Sequence, residues 1–244
     1  SDPSNPVEGQ VWYNTTSNVV KGLVNDPGSW STGGSLNTAR DDLAGCGIQT
    51  AALAFGGGYP ILTNTEEYNG TSWTEVNDMG SARYALAGCG TQTAALGFGG
   101  QIGPPTFAKQ TSTETWNGTN WTEVNDMNTA RKRLGGIGTN TAALAFGGVP
   151  TTAVTETWNG TNWTEVNDLN TARGGLSGAG TTTAGLAFGG DTGPPDTFEA
   201  VTESWNGTNW TEVNDLNTGR RFLAGAGTQT AALAFGGGNP NAGK

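Results

Sequence analysis

Five copies of a segment ending in Phe-Gly-Gly punctuate this chain, at Phe55, Phe98, Phe146, Phe188 and Phe235, separated by 43, 48, 42 and 47 residues. Arg40, Arg83, Arg131, Arg173 and Arg220 repeat at the same four spacings, and Trp30, Trp73, Trp121, Trp163 and Trp210 each stand ten residues ahead of their arginine. A period in the forties, carried by three markers in one register, leaves few options. Each unit is one supersecondary element that buries its apolar faces against its neighbours, as in a propeller or solenoid. The 41 glycines would otherwise read as low complexity, but they recur at fixed places in the repeat.

The unit that follows Arg131 carries four strand signals. Leu134-Gly135-Gly136-Ile137-Gly138 reads as a tightly packed first strand, and 141–148, ending in Phe146-Gly147-Gly148, is an apolar run of the kind buried on both faces. Thr155-Glu156-Thr157-Trp158 and Trp163-Thr164-Glu165-Val166 alternate polar with apolar around Asn159-Gly160, which supplies hairpin turn chemistry. These last two are expected to be half-exposed outer strands, kept from pairing with other molecules by shortness and charge.

The chain therefore reads as all-β: a five-bladed β-propeller of four-stranded antiparallel blades. The last copy supplies only its first two strands, through Gly237, while residues 19–24 and 29–32 form an outer pair without inner partners. One composite blade built from N- and C-terminal strands is the expected closure. Residues 1–18 are then a lead-in with an extra hairpin strand, and 19–244 form a single propeller. The opening Ser1-Asp2-Pro3, without methionine or an apolar leader, suggests a processed piece of a longer chain.

Gly-Gly, a third-strand aromatic, a fourth-strand tryptophan and an arginine, in that order, resemble the kelch repeat in all five units, over about residues 19 to 238. The WD dipeptide of WD40 propellers is missing. The stretch from Gly9 to Lys21, with Val11-Trp12-Tyr13-Asn14 at its centre, is similar to a short hairpin that precedes kelch-like repeats in bacteriophage tail-fibre proteins. The two resemblances imply a galactose-oxidase-like propeller scaffold, displayed at a virion surface or otherwise outside the cell.

Catalysis is not expected. The chain has no histidine, which removes imidazole-based copper and zinc sites and triads. Glu114, Glu156 and Glu203, with Glu123, Glu165 and Glu212, recur by repeat, whereas a catalytic pair needs an asymmetric constellation. No catalytic residue, metal site or cofactor is assigned. A net charge of -10 argues against nucleic acid and anionic membranes, and no apolar run reaches the length of a membrane span. Cys46 and Cys89 occupy matching places in adjacent repeats, where Ile137 stands in the third, and read as small core residues. The repeated arginines and tryptophans are assigned to structure, each arginine paired with a carboxylate such as Asp78, Asp126, Asp168 or Asp215.

The copies disagree in two places. After the arginine stand Asp41-Asp42, Tyr84-Ala85, Lys132-Arg133, Gly174-Gly175 and Arg221-Phe222, a range that fits no common packing role. The connection from second to third strand varies too, carrying Tyr59, Phe107 and Phe198 in different units. In an up-and-down blade both places lie on one face, and loops on a rigid scaffold are where recognition resides. The expected ligand-binding residues are Asp41, Asp42, Tyr59, Tyr84, Phe107, Lys132, Arg133, Phe198, Arg221 and Phe222. The expected function is non-enzymatic, lectin-like recognition of a glycan or cell-surface receptor. The alternatives are an assembly propeller docking another tail or virion protein, and thirdly a glycan-active enzyme.

Overall fold

The computed structural model describes residues 11–14, 19–22, 30–58, 60–193 and 197–238. The chain divides into two compact units, Ser1–Gly33 and Gly34–Lys244. In the first, β1 (Val11–Asn14) and β2 (Val19–Gly22) pair antiparallel, with Val11 opposite Gly22 and Asn14 opposite Val19.

The second unit is all-β, with antiparallel sheets in a β-propeller arrangement. Its first blade is β3 (Ala44–Ile48), β4 (Ala51–Phe55), β5 (Thr65–Tyr68) and β6 (Trp73–Val76). The second is β7 (Ala87–Thr91), β8 (Ala94–Phe98), β9 (Thr113–Trp116) and β10 (Trp121–Val124). The third is β11 (Gly135–Gly138), β12 (Ala143–Phe146), β13 (Thr155–Trp158) and β14 (Trp163–Val166). The fourth is β15 (Ser177–Gly180), β16 (Gly185–Phe188), β17 (Thr202–Trp205) and β18 (Trp210–Val213). The fifth repeat contributes a two-stranded sheet, β19 (Arg221–Thr228) and β20 (Ala231–Gly238). Within each blade neighbours in sequence are neighbours in space, and the first strands of all five repeats line one central cavity of about 380 Å³.

Small residues on the first strands let the blades approach closely. The phenyl rings of Phe55, Phe98, Phe146 and Phe188 each fill the place where the next blade has a glycine: a Cβ on Gly88, Gly136, Gly178 or Gly225 would stand 2.4, 2.7, 2.7 or 2.5 Å from them. Each such phenyl contributes about 2 kcal/mol through burial. Three of these rings also meet the fourth-strand tryptophan of the next blade, with centroids 4.7 Å apart for Phe55 and Trp121, 4.9 Å for Phe98 and Trp163, and 5.1 Å for Phe146 and Trp210. Those indoles donate back to the third strand of the previous blade, from Trp121 to Thr65, Trp163 to Thr113 and Trp210 to Thr155, at 2.9, 3.0 and 3.1 Å. Trp30 differs from its counterparts, being 76% exposed and outside any strand.

The third strands are not half-exposed as expected. Glu66, Glu114, Glu156 and Glu203 are buried because each neutralises a repeated arginine. Nitrogens of Arg40, Arg83, Arg131 and Arg173 lie 3.2, 2.8, 2.9 and 3.0 Å from them. The aspartates expected in that role do something else: Asp78, Asp126, Asp168 and Asp215 accept the amides of Thr65, Thr113, Thr155 and Thr202. Arg131 donates also to the carbonyls of Gly147 and Val154, its Nε being buried without a partner, while Asn128 donates to the Glu156 carboxylate. Such added hydrogen bonds offset part of the desolvation cost of a buried ion pair. At the hairpins, Asn69, Asn117, Asn159 and Asn206 accept two backbone amides each, the turn role expected of Asn-Gly. Both cysteines are free thiols on first strands.

One junction differs from the rest. The second glycine of each Gly-Gly donates to the carbonyl of the next arginine, from Gly57, Gly100, Gly148 and Gly190 at 2.9, 2.8, 2.9 and 2.9 Å. Between fifth and first repeats no such bond is found among the described residues. A Cβ on Gly236 would meet nothing within 4 Å, and one on Gly45 only the Leu53 carbonyl, at 3.1 Å. The outer pair expected at 19–24 and 29–32 is not seen as a pair. Val19–Gly22 is taken by β1, residues 30–32 form no strand, and 23–29 lie outside the described residues. Pairing across a four-residue connection closes a far shorter loop than pairing with β20, so it costs less chain entropy.

Candidate functional site

The two variable places are bonded to each other. The residue after each arginine pairs with the residue after Gly-Gly in its own repeat: Asp41 with Gly58, Tyr84 with Gln101, Lys132 with Val149, Gly174 with Asp191 and Arg221 with Gly238. Both therefore lie on the face that carries the connections between second and third strands.

Across the junction to the next blade, the same two positions are matched in size and charge. A Cβ on Gly58 would make ordinary contact with Tyr84, at 3.8 Å, and Val149 fills the space a side chain on Gly174 would take. Gln101 accepts from Lys132, and Asp191 pairs with Arg221 at 3.3 Å. The range of side chains after the arginine thus does have a packing explanation, read one pair at a time.

The second residue after each arginine is left-handed, with φ of 46° at Asp42, 54° at Ala85, 54° at Arg133, 65° at Gly175 and 57° at Phe222. Backbone bonds tie these residues in series, from Ala85 to Asp42, Arg133 to Ala85, Gly175 to Arg133 and Phe222 to Gly175, at 2.7, 2.7, 2.8 and 2.7 Å. Only Gly175 takes this conformation freely. The other four each carry about 1–2 kcal/mol of backbone strain. Arg133 reaches across the mouth of the central cavity, ion-paired with Asp42 at 3.5 Å and stacked on Phe222 at 4.4 Å.

Beside that mouth lies a cleft of about 1010 Å³. It brings together Asp41, Asp42, Tyr84, Phe107, Lys132 and Arg133 from the first three repeats. Ile61, Ile102, Pro104 and Pro105 form its apolar wall, and Phe107 stands 53% exposed at its rim. An apolar concavity with a few converging polar groups is the usual form of a small-ligand site. Lys132 lies over the Tyr84 ring at 5.7 Å. Burial, with Arg133 and Lys109 nearby and Asp42 opposing, holds its ammonium below the usual lysine range.

The remaining expected residues do not join this cleft. Phe198, Arg221 and Phe222 form their own stack, with the guanidinium 4.5 Å from one ring and 5.0 Å from the other. Asp191 anchors that guanidinium. Tyr59 lies outside the described residues.

Sequence reasoning missed Gln101. Only 7% exposed, it accepts from the Tyr84 hydroxyl at 2.6 Å and from Lys132, and donates to the Phe107 carbonyl. It positions three cleft residues from two blades and one loop. A signal existed: the residue after Gly-Gly is Gly58, Gln101, Val149, Asp191 or Gly238, as variable as the residues after the arginine. Compared with protein-family models and with curated proteins, this chain matches none.

Proposed function

We propose that this chain is a non-enzymatic recognition module, binding carbohydrate on a cell-surface receptor through the cleft of the variable face. The cleft itself carries the reading. It combines aromatic surfaces, Tyr84 and Phe107, with directed charged groups on an otherwise apolar wall, the combination that a sugar's apolar face and hydroxyls require. Backbone strain adds support. Asp42, Ala85, Arg133 and Phe222 hold side chains where glycine would cost less. In this reading the scaffold is a kelch-like propeller of five blades, the fifth completed by strands from the N-terminal part, and it acts at a virion surface or outside the cell, as in a bacteriophage tail fibre. Trp30 supports the composite blade, standing ahead of Arg40 as the other four tryptophans stand ahead of their arginines.

A glycan array tests the function. The wild-type chain is expected to bind a restricted set of glycans, and Tyr84→Ala to weaken that binding by about tenfold or more, as loss of an aromatic anchor does. Absence of glycan binding by a folded chain would contradict the proposal and turn the face over to protein docking.

A further inference from the structure

The cations of the second unit are mostly neutralised from within. Arg40, Arg83, Arg131 and Arg173 each face a glutamate, and Arg221 faces Asp191. Lys132 is the exception that lines the cleft. Among the described residues its ammonium makes no ion pair. It donates to the neutral Gln101 amide oxygen, and Arg133 and Lys109 are its cationic neighbours. An ammonium has three donors, so at least one remains for a ligand.

Two carboxylates, Asp41 and Asp42, share the cleft with these groups. Asp42 is engaged by Arg133, so that Lys132 has two cationic neighbours, Arg133 and Lys109, against one acid already paired. Gathering like charges beside an apolar wall costs Coulomb and desolvation energy. An incoming anion would relieve both.

We infer, on the reading that this cleft is the binding site, that its ligand is an acidic sugar whose carboxylate sits on Lys132 while its ring lies against Tyr84 and Phe107. Gln101 then acts as a positioning residue, holding the ammonium and the Tyr84 ring in one orientation. The carboxylate can come from a uronate or from a nonulosonate of the sialic type.

Isothermal titration of the intact chain with two matched pairs tests this: trigalacturonate against its carboxyl-reduced galactotriose, and 3′-sialyllactose against its sialyl methyl ester. One acidic member is expected to bind about tenfold tighter than its neutral partner, the gain of a charge-assisted contact, and to lose that margin as salt is raised. Which pair shows the margin identifies the source. Lys132→Met keeps the apolar stem over Tyr84 and is expected to abolish the preference, so that the acidic and neutral members bind alike, with the melting temperature unchanged. Equal affinity within both pairs, or a preference that survives Lys132→Met, overturns the inference. Equal affinity of acidic and neutral members, with binding that Tyr84→Ala removes, would overturn the carboxylate alone. No binding by any of the four, with an empty glycan array, would overturn the cleft reading with it.

Discussion

Replacing Glu156 by alanine is expected to destabilise the propeller by about 3–5 kcal/mol, the usual consequence of stripping one partner from a buried ion pair. Arg131 is wholly buried and its guanidinium lies 2.9 Å from that carboxylate. Burial already holds the arginine below its ordinary range, and Glu156 opposes that. The loss measures the orphaned cation, so the double variant Arg131→Met with Glu156→Leu is expected to recover most of it. Glu165 stands directly opposite Glu156 on the fourth strand but is exposed, and Glu165→Ala is expected to change stability by no more than about 0.5 kcal/mol. Urea titration of the three variants reads the comparison. A Glu156→Ala cost below about 1 kcal/mol, typical of exposed pairs, would remove the ion pair from the account of the scaffold.

The second large effect concerns the Gly-Gly carbonyl contacts. A methyl group on Gly147 would stand 2.6 Å from the Arg173 carbonyl and 2.9 Å from Leu176, at a φ of +63°. Gly147→Ala is therefore expected to cost about 3 kcal/mol or more, left-handed strain and overpacking together. Gly236 has a similar φ of +69° but open space around it, so in that setting strain alone applies, about 1 kcal/mol. If the composite blade closes the ring, the Arg40 carbonyl comes to Gly236 as the Arg173 carbonyl comes to Gly147. Gly236→Ala is then expected to match Gly147→Ala in a thermal or urea melt. A cost near 1 kcal/mol at Gly236 would contradict the closure and leave the fifth repeat with its outer edge open.

The blades were legible because their markers are local. Gly-Gly ends a strand, Asn-Gly turns one, and the spacing between them sets each strand's length. The arginine partner was not legible in the same way. Asp126 stands close to Arg131 in sequence, whereas Glu156 is brought to it only when the third strand of the following blade folds over the linker. Spacing along a chain carries no information about such a contact.

The candidate site was half legible for a related reason. Repeat-to-repeat disagreement pointed to the face that carries the cleft, yet it could not separate side chains spent on one another, such as Arg221 with Asp191 and Phe198, from those left facing a cleft. Gln101 was absorbed into the Phe-Gly-Gly marker, although its own variability placed it with Tyr84 and Lys132. Closure was read by counting strands, and the count does not say which partner Val19–Gly22 takes.

The central claim is that recognition occurs in the cleft of the first three repeats. Amide chemical-shift mapping of the labelled chain, titrated with the tightest-binding member of the two sugar pairs, tests it most directly. The account predicts shifts at Gly58, Tyr84, Gln101 and Lys132, with the Asn117-Gly118 and Asn159-Gly160 turns of the opposite face unmoved. Shifts confined to those turns, or to Asp191, Phe198 and Arg221, would contradict it.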